Sequence, residues 1–107
     1  MKTVDELTTL IRAWAIERGL DGADPFKQLA KLGEEFGELC QGMAKGNMEQ
    51  AADSIGDMYV VMTNLSMQLD MNIEVCINQA YNEIKDRKGK MINGVYVKAE
   101  DLKSSEG

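Results

Sequence analysis

The sequence predicts an all-α protein: a four-helix antiparallel bundle with a short C-terminal β-hairpin. Three observations predict it. Apolar residues recur at alternating three- and four-residue spacing in four separate stretches, the period of a helix with one buried face. Each stretch is bounded by residues that suit helix ends. Near the C-terminus Asn93-Gly94 stands between apolar residues, the strongest short-range hairpin signal.

The first helix is expected over residues 4–18. Thr3-Val4-Asp5-Glu6 has the form of a capping box, and Gly19 suits the C-terminal end. Leu7, Leu10, Ile11, Trp14 and Arg18 form its seam. Residues 19–24 are a loop. Asp24-Pro25 then starts the second helix, an acidic N-cap followed by proline in the first turn. It is expected to reach Lys45, with Leu29, Leu32, Phe36, Leu39 and Met43 as its apolar seam. Gly46-Asn47 ends it, and Asn47 with Gln50 caps the third helix, residues 48–69. The third seam is Ile55, Met58, Met62, Leu65 and Leu69.

Asn72 is expected to cap the fourth helix, residues 73–88, with Gly89 closing it and Val75, Ile77, Ala80, Tyr81 and Ile84 packed. The hairpin is expected over residues 91–97. Residues 1–100 make one domain, and 101–107 form a polar, flexible tail. Short links make consecutive helices antiparallel neighbours. Cys40, Cys76 and most of the eight methionines fall in helical patterns and are expected in the core.

The 107 residues suffice for one domain with one core. No apolar run approaches the ~20 residues of a membrane span. The N-terminus lacks a signal-peptide core, so a cytoplasmic location is expected. The chain has no histidine, which removes Ser-His-Asp and Cys-His catalysis and the usual nitrogen ligands of zinc. A formal charge of −6 argues against a nucleic-acid partner. The charge is uneven: residues 84–98 hold five basic groups and one acid. An acidic body beside a basic C-terminal patch suits a metal ion next to an anionic ligand.

The acids have a pattern. Glu35 and Glu38 lie three apart on one helix face, each one residue, or 100° of turn, from an apolar seam residue. Lys31 has the same relation to Leu32, and Glu34 points further outward. In the third helix Asp57 borders Met58 and Ser54 borders Ile55, with Asp53 further round. Antiparallel packing brings Glu35, Glu38 and Asp57 to one polar strip. Converging carboxylates repel each other and lose hydration, and a divalent cation offsets both costs. An all-oxygen donor set favours Mg²⁺, Mn²⁺ or Ca²⁺. The alternative for each acid is a solvated helix face, with Lys31 pairing Glu35. Gly33, Gly37, Gly42 and Gly56 within these helices suggest close helix approach or space for a ligand.

Glu34-Glu35-x-x-Glu38 followed by Gly56-Asp57 resembles the MazG-like all-α nucleotide pyrophosphohydrolases, whose motif is E-E-x-x-E, a spacer, then E-x-x-D. The ending Tyr81-Asn82-Glu83-Ile84-Lys85-Asp86-Arg87-Lys88-Gly89-Lys90 is similar to the phosphate-side segment of small, stand-alone, phage-type members. The resemblance implies Mg²⁺, with Mn²⁺ as a substitute, held by Glu35, Glu38 and Asp57. Glu34 is then the remaining acid of the first motif. It further implies hydrolysis of a nucleoside triphosphate to monophosphate and pyrophosphate, in a homodimer or homotetramer. The sequence departs from the motif at Ser54, which stands where the family has glutamate; Asp53, Ser54 itself or a water then fills that place, or the metal is held more weakly.

For such a reaction Glu34 or Glu35 is the candidate proton acceptor. Lys85, Arg87, Lys88 and Asn82 are candidate phosphate contacts, and Trp14 is a candidate base-stacking residue. The competing class is a non-catalytic helical-bundle interaction or regulatory protein with a degenerate metal site, for which the Ser54 departure speaks.

Overall fold

The computed structural model describes residues 1–106, with side chains through Leu102. The chain is mostly helical and divides into two compact units, Met1–Ile73 and Glu74 to the C-terminus. The first holds α1 (Val4–Glu17), a 3-10 turn (Leu20–Gly22), α2 (Pro25–Lys45) and α3 (Met48–Gln68). The second holds α4 (Ile73–Ile84) from its second residue on, β1 (Gly89–Ile92), β2 (Val95–Lys98) and α5 (Ala99–Glu106).

The first three helices start where the side chains can satisfy their unpaired amides. Thr3 Oγ1 accepts from Glu6 N at 3.2 Å while Glu6 Oε1 accepts from Thr3 N at 3.4 Å. Asp24 accepts from Phe26 N at 2.9 Å, ahead of Pro25 in the first turn. Asn47 Oδ1 accepts from Gln50 N at 3.1 Å.

α2 and α3 form an antiparallel helical hairpin. Early α2 meets late α3 where Gln68 Nε2 donates to Gln28 Oε1 at 3.2 Å. Late α2 meets early α3 where Gln50 Nε2 donates to the Glu38 carbonyl at 2.9 Å. Gly42 permits the close approach: a Cβ there would stand 3.1 Å from Ala51 N. α1 crosses α3 through hydroxyls. Buried Thr8 Oγ1 shares a 2.6 Å hydrogen bond with Tyr59 OH, and buried Thr63 donates to the Tyr59 carbonyl at 2.8 Å. Gln68 Nε2 also donates to the Leu20 carbonyl at 2.9 Å, tying the 3-10 turn to α3.

The interior differs from the expected apolar seams. The α2 residues turned inward are Gln28, Leu32, Glu35, Leu39 and Gly42, while Leu29, Phe36 and Met43 are exposed. In α3 the inner row runs through Ala51, Ser54, Val61 and Asn64; Met58 and Leu65 are half-buried, and Ile55, Met62 and Leu69 are exposed. In α1 Thr8 and Ala15 are buried, and Leu7, Leu10 and Trp14 are exposed. The physical reason is a rotation of α2 by ~60°, less than one residue step, in which face meets its neighbour, so that Leu32 and Leu39 belong to both rows. Gly42 and the amide bonds at both ends of the α2–α3 pair hold that rotation. Cys40 and Cys76 are likewise exposed rather than core residues. So are Met43, Met48 and Met62.

In the second unit α4 is shorter than expected. It ends at Ile84, and residues 85–88 form a turn leading into β1. Val75, Ile77, Ala80, Tyr81 and Ile84 are exposed. The hairpin forms as expected around Asn93-Gly94, with Ile92 opposite Val95. Both loop residues have positive φ, 49° and 81°, the signature of the two-residue turn that matches strand twist. The segment expected as a flexible tail is helical in α5 through Glu106, and Gly107 lies outside the described residues.

Gly89 has a specific role in the hairpin. A Cβ there would run into the Val97 carbonyl oxygen and the Tyr96 ring, whose hydroxyl donates to the Arg87 carbonyl at 3.2 Å. Gly89→Ala is therefore expected to abolish cross-strand NOEs between Met91 and Tyr96. The amide resonances of α2 and α3 should stay in place.

Candidate metal centre

The inward rotation of α2 carries Glu35 into the α2–α3 interface, where it is 6% exposed. One helical turn later Glu38 remains exposed, and Asp57 of α3 is half-buried. Each of these three carboxylates offers an oxygen within 4.8 Å of the others. Lys31, one turn before Glu35, holds its Nζ 3.4 Å from Glu35 Oε1 and 3.8 Å from Glu34 Oε2. The second Glu35 oxygen, Oε2, is buried with no hydrogen-bond partner.

The electrostatics follow from this crowding. The negative charge of Glu35, then burial, pushes the Glu38 carboxyl above its ordinary range. Burial, then the charge of Asp53, pushes Asp57 up as well. The Lys31 ammonium is held above its ordinary range, chiefly by its hydrogen bond to Glu35. A single ammonium thus faces a group of acids, with one buried acceptor left over. Three carboxylates, one of them with an orphaned buried oxygen, fit a small divalent cation.

Other expected site residues lie differently. Glu34 is exposed and belongs to the Lys31 ion pair rather than to the cluster. Asp53 is exposed beside Asp57 and lines a separate surface depression with Asn47, Glu49 and Gln50. Ser54 is only 1% exposed, deep in the α2–α3 interface. Gly33, Gly37 and Gly56 border open space, so among the four helix-interior glycines only Gly42 marks a close approach.

Trp14 is exposed rather than an anchor of the core. The Arg18 guanidinium lies over its ring at 4.4 Å. Trp14 lines two cavities that both reach Asp57. One, of about 470 Å³, is apolar, with Leu7, Leu10, Ile11 and Val60. The other, of about 340 Å³, adds Leu20, Gln28, Lys31, Glu35, Val61 and Asn64. Gln28 and Asn64 were not singled out from the sequence. Their only signal is heptad spacing, since Asn64 is seven residues after Asp57 and Gln28 seven before Glu35.

The candidate phosphate contacts belong to the second unit. Arg87 and Lys88 line a cavity of about 490 Å³ with Glu83, Asp86, Lys98, Ala99 and Glu100. Lys85 and Asn82 are exposed and do not line it. Among the described residues no helix is long and apolar enough to cross a membrane.

No protein-family model matches the chain, and no solved structure matches it. The chain is similar to an uncharacterized 18.2 kDa protein of the rep-hol intergenic region of Haemophilus phage HP1 (strain HP1c1), with 46% identity over 69 residues. The matched segment is 64% of this chain and 42% of that protein, so the chain spans less than half of its relative's length.

Because both carboxyl shifts are upward, the folded chain binds more protons than the unfolded chain just above the ordinary carboxylate range. Stability from these two groups is therefore present below that range and is lost as pH rises through the raised values. In EDTA, this part of the stability should decline as pH is raised above the ordinary carboxylate range. Glu38→Gln should flatten the decline, read as the difference between the two melting-temperature profiles. A mutant profile parallel to wild type would show that Glu38 does not feel the cluster.

Proposed function

We propose that the protein is a magnesium-dependent nucleoside triphosphate pyrophosphohydrolase of the MazG-like type. The reaction is hydrolysis between the α- and β-phosphates, giving a monophosphate and pyrophosphate. The observation that carries the reading is the Glu35–Glu38–Asp57 cluster with its unpartnered buried oxygen. The motif pair Glu34-Glu35-x-x-Glu38 and Gly56-Asp57 supports it.

In this reading Glu35, Glu38 and Asp57 hold the ion, and Asp53 supplies further negative charge. Bound Mg²⁺, or Mn²⁺ in its place, neutralises phosphate oxygens and lowers the pKa of the attacking water. Glu35 is better placed than Glu34 to take a proton from that water, because it sits inside the cluster and keeps one oxygen unpaired. Glu34 holds Lys31, which in turn orients Glu35. In the second unit Arg87 and Lys88, with Lys85 and Asn82 on the same segment, are the groups suited to a phosphate by charge and hydrogen bonding. Trp14 stacks on the base.

Homo-oligomerisation belongs to the same proposal. Phe26, Leu29, Phe36 and Met43 are all exposed at three- and seven-residue spacing on one side of α2. Met48, Ile55 and Met62 on α3 and Leu69 at its C-cap repeat every seven residues and are exposed too. Contiguous apolar stripes of this kind mark association surfaces. These stripes also favour a second reading, a non-catalytic interaction or regulatory protein, in which buried Ser54 marks a lost ligand.

Pyrophosphate release from a panel of ribo- and deoxyribonucleoside triphosphates, with and without magnesium, separates the two. Release is expected only with magnesium, and Glu38→Gln should lower turnover at least a hundredfold while keeping the helical circular dichroism. No release from any triphosphate would leave the interaction reading. Phe36→Glu should reduce the sedimenting mass, since it puts a charge in the middle of the α2 stripe.

A further inference from the structure

Asn64 is 4% exposed, and its Oδ1 has no hydrogen-bond partner. A buried amide oxygen without a partner costs on the order of 1–3 kcal/mol. Its side chain lines the cavity of about 340 Å³ that also contains Trp14, Gln28, Lys31, Glu35 and Asp57. That volume lies within the ~300–1,000 Å³ range of small-molecule sites. The residues around this opening thus include Glu35 and Asp57 of the acid cluster and Asn64, which carries the unsatisfied acceptor.

The neighbours sharpen the chemistry. The Gln28 carbonyl oxygen is occupied by Gln68 Nε2 at 3.2 Å, and Gln68 is itself fixed to the Leu20 carbonyl. Gln28 lines the same cavity, and its side chain also carries an amino group that can donate. Arg18 covers one face of Trp14 at 4.4 Å, and the exposed indole lines the cavity. An aromatic face, an amide acceptor and an amide donor suit a flat heterocycle with N–H and acceptor groups along one edge. They do not suit a phosphate, which has neither a flat face nor an N–H donor.

We infer that Asn64 is a specificity-determining residue that reads the hydrogen-bonding edge of a nucleobase stacked on Trp14. The inference deepens the nucleotide reading above and rests on it. Asn64 accepts from a base N–H, and Gln28 donates to the adjacent acceptor. A site whose buried polar group must be paired discriminates more strongly than an apolar slot, because the wrong base leaves that group unpaired.

Trp14 is the single tryptophan, so its fluorescence reports on this cavity without any catalytic step. The probes are the four ribonucleoside monophosphates and ribose 5-phosphate, titrated in EDTA and in magnesium. Saturable quenching is expected from monophosphates with a base preference of tenfold or more, and none from ribose 5-phosphate. Asn64→Leu should weaken the preferred monophosphate about tenfold to a hundredfold and bring the four affinities together. Asn64→Asp keeps an acceptor oxygen and guards against a folding defect in the leucine variant. It should retain part of the preference for a base that donates an N–H.

Base-dependent quenching in a protein that releases no pyrophosphate would support this inference while sinking the hydrolase reading. Pyrophosphate release whose base preference is unchanged in folded Asn64→Leu or Asn64→Asp would overturn the inference and leave the hydrolase standing. Equal quenching by ribose 5-phosphate would overturn it as well.

Discussion

The burial of Glu35 between α2 and α3 is the constraint on which the first unit turns. An ionised carboxylate withdrawn from water needs compensation, and Lys31 compensates one oxygen of the two. Glu38 and Asp57 add negative charge close by. A purely apolar interface would avoid the cost, yet the chain turns its polar row inward. The rotation is held at both ends of the helical pair. Gln68 bridges Gln28 and Leu20 at one end, and Gln50 with Gly42 joins the helices at the other. Rotating α2 to bury Phe36 would break these bonds together.

The same rotation explains the thinness of the core. Among the described residues the buried apolar ones are Ala15, Ala51, Val61 and Ile73, all small or medium in size. Hydroxyls and amides occupy much of the rest: Thr8, Ser54, Thr63, Asn64 and Ser66 are buried. Each satisfied hydrogen bond contributes about 1 kcal/mol net, less than burying a large side chain. The large residues, Phe36 and Leu29 among them, are left outside. A polar interior and an apolar exterior are two results of one choice of face.

The second unit follows other rules. Its hairpin rests on local backbone chemistry: positive φ at Asn93 and Gly94, and a Gly89 that leaves room for Tyr96 and Val97. Lys85, Arg87 and Lys88 sit in the link after α4 rather than on a helix face. Their charges therefore cannot be explained as complementing the last turn of α4 from within it. Arg87 and Lys88 instead border a cavity together with Lys98.

Local chemistry was legible in the sequence. Caps at Thr3, Asp24 and Asn47, the breaks at Gly19 and Gly46, and the Asn93-Gly94 turn act within a few residues, so a linear reading finds them. The convergence of Glu35, Glu38 and Asp57 was legible for a related reason. Helical spacing puts the two glutamates on one face, and a short link brings the next helix back alongside. What only the tertiary structure decided was which face of each helix turns inward. Apolar spacing names a stripe, but Leu32 and Leu39 fit the inner row as well as the expected seam, so the pattern tolerates a rotation of ~60°. Contacts between distant residues resolved it: Gln28 with Gln68, Gly42 against Ala51, Thr8 with Tyr59. Those contacts put Glu35 and Asn64 inside and Phe36 outside, because a helix rotates as a rigid body and cannot satisfy its amides on one face while burying its aromatics on another.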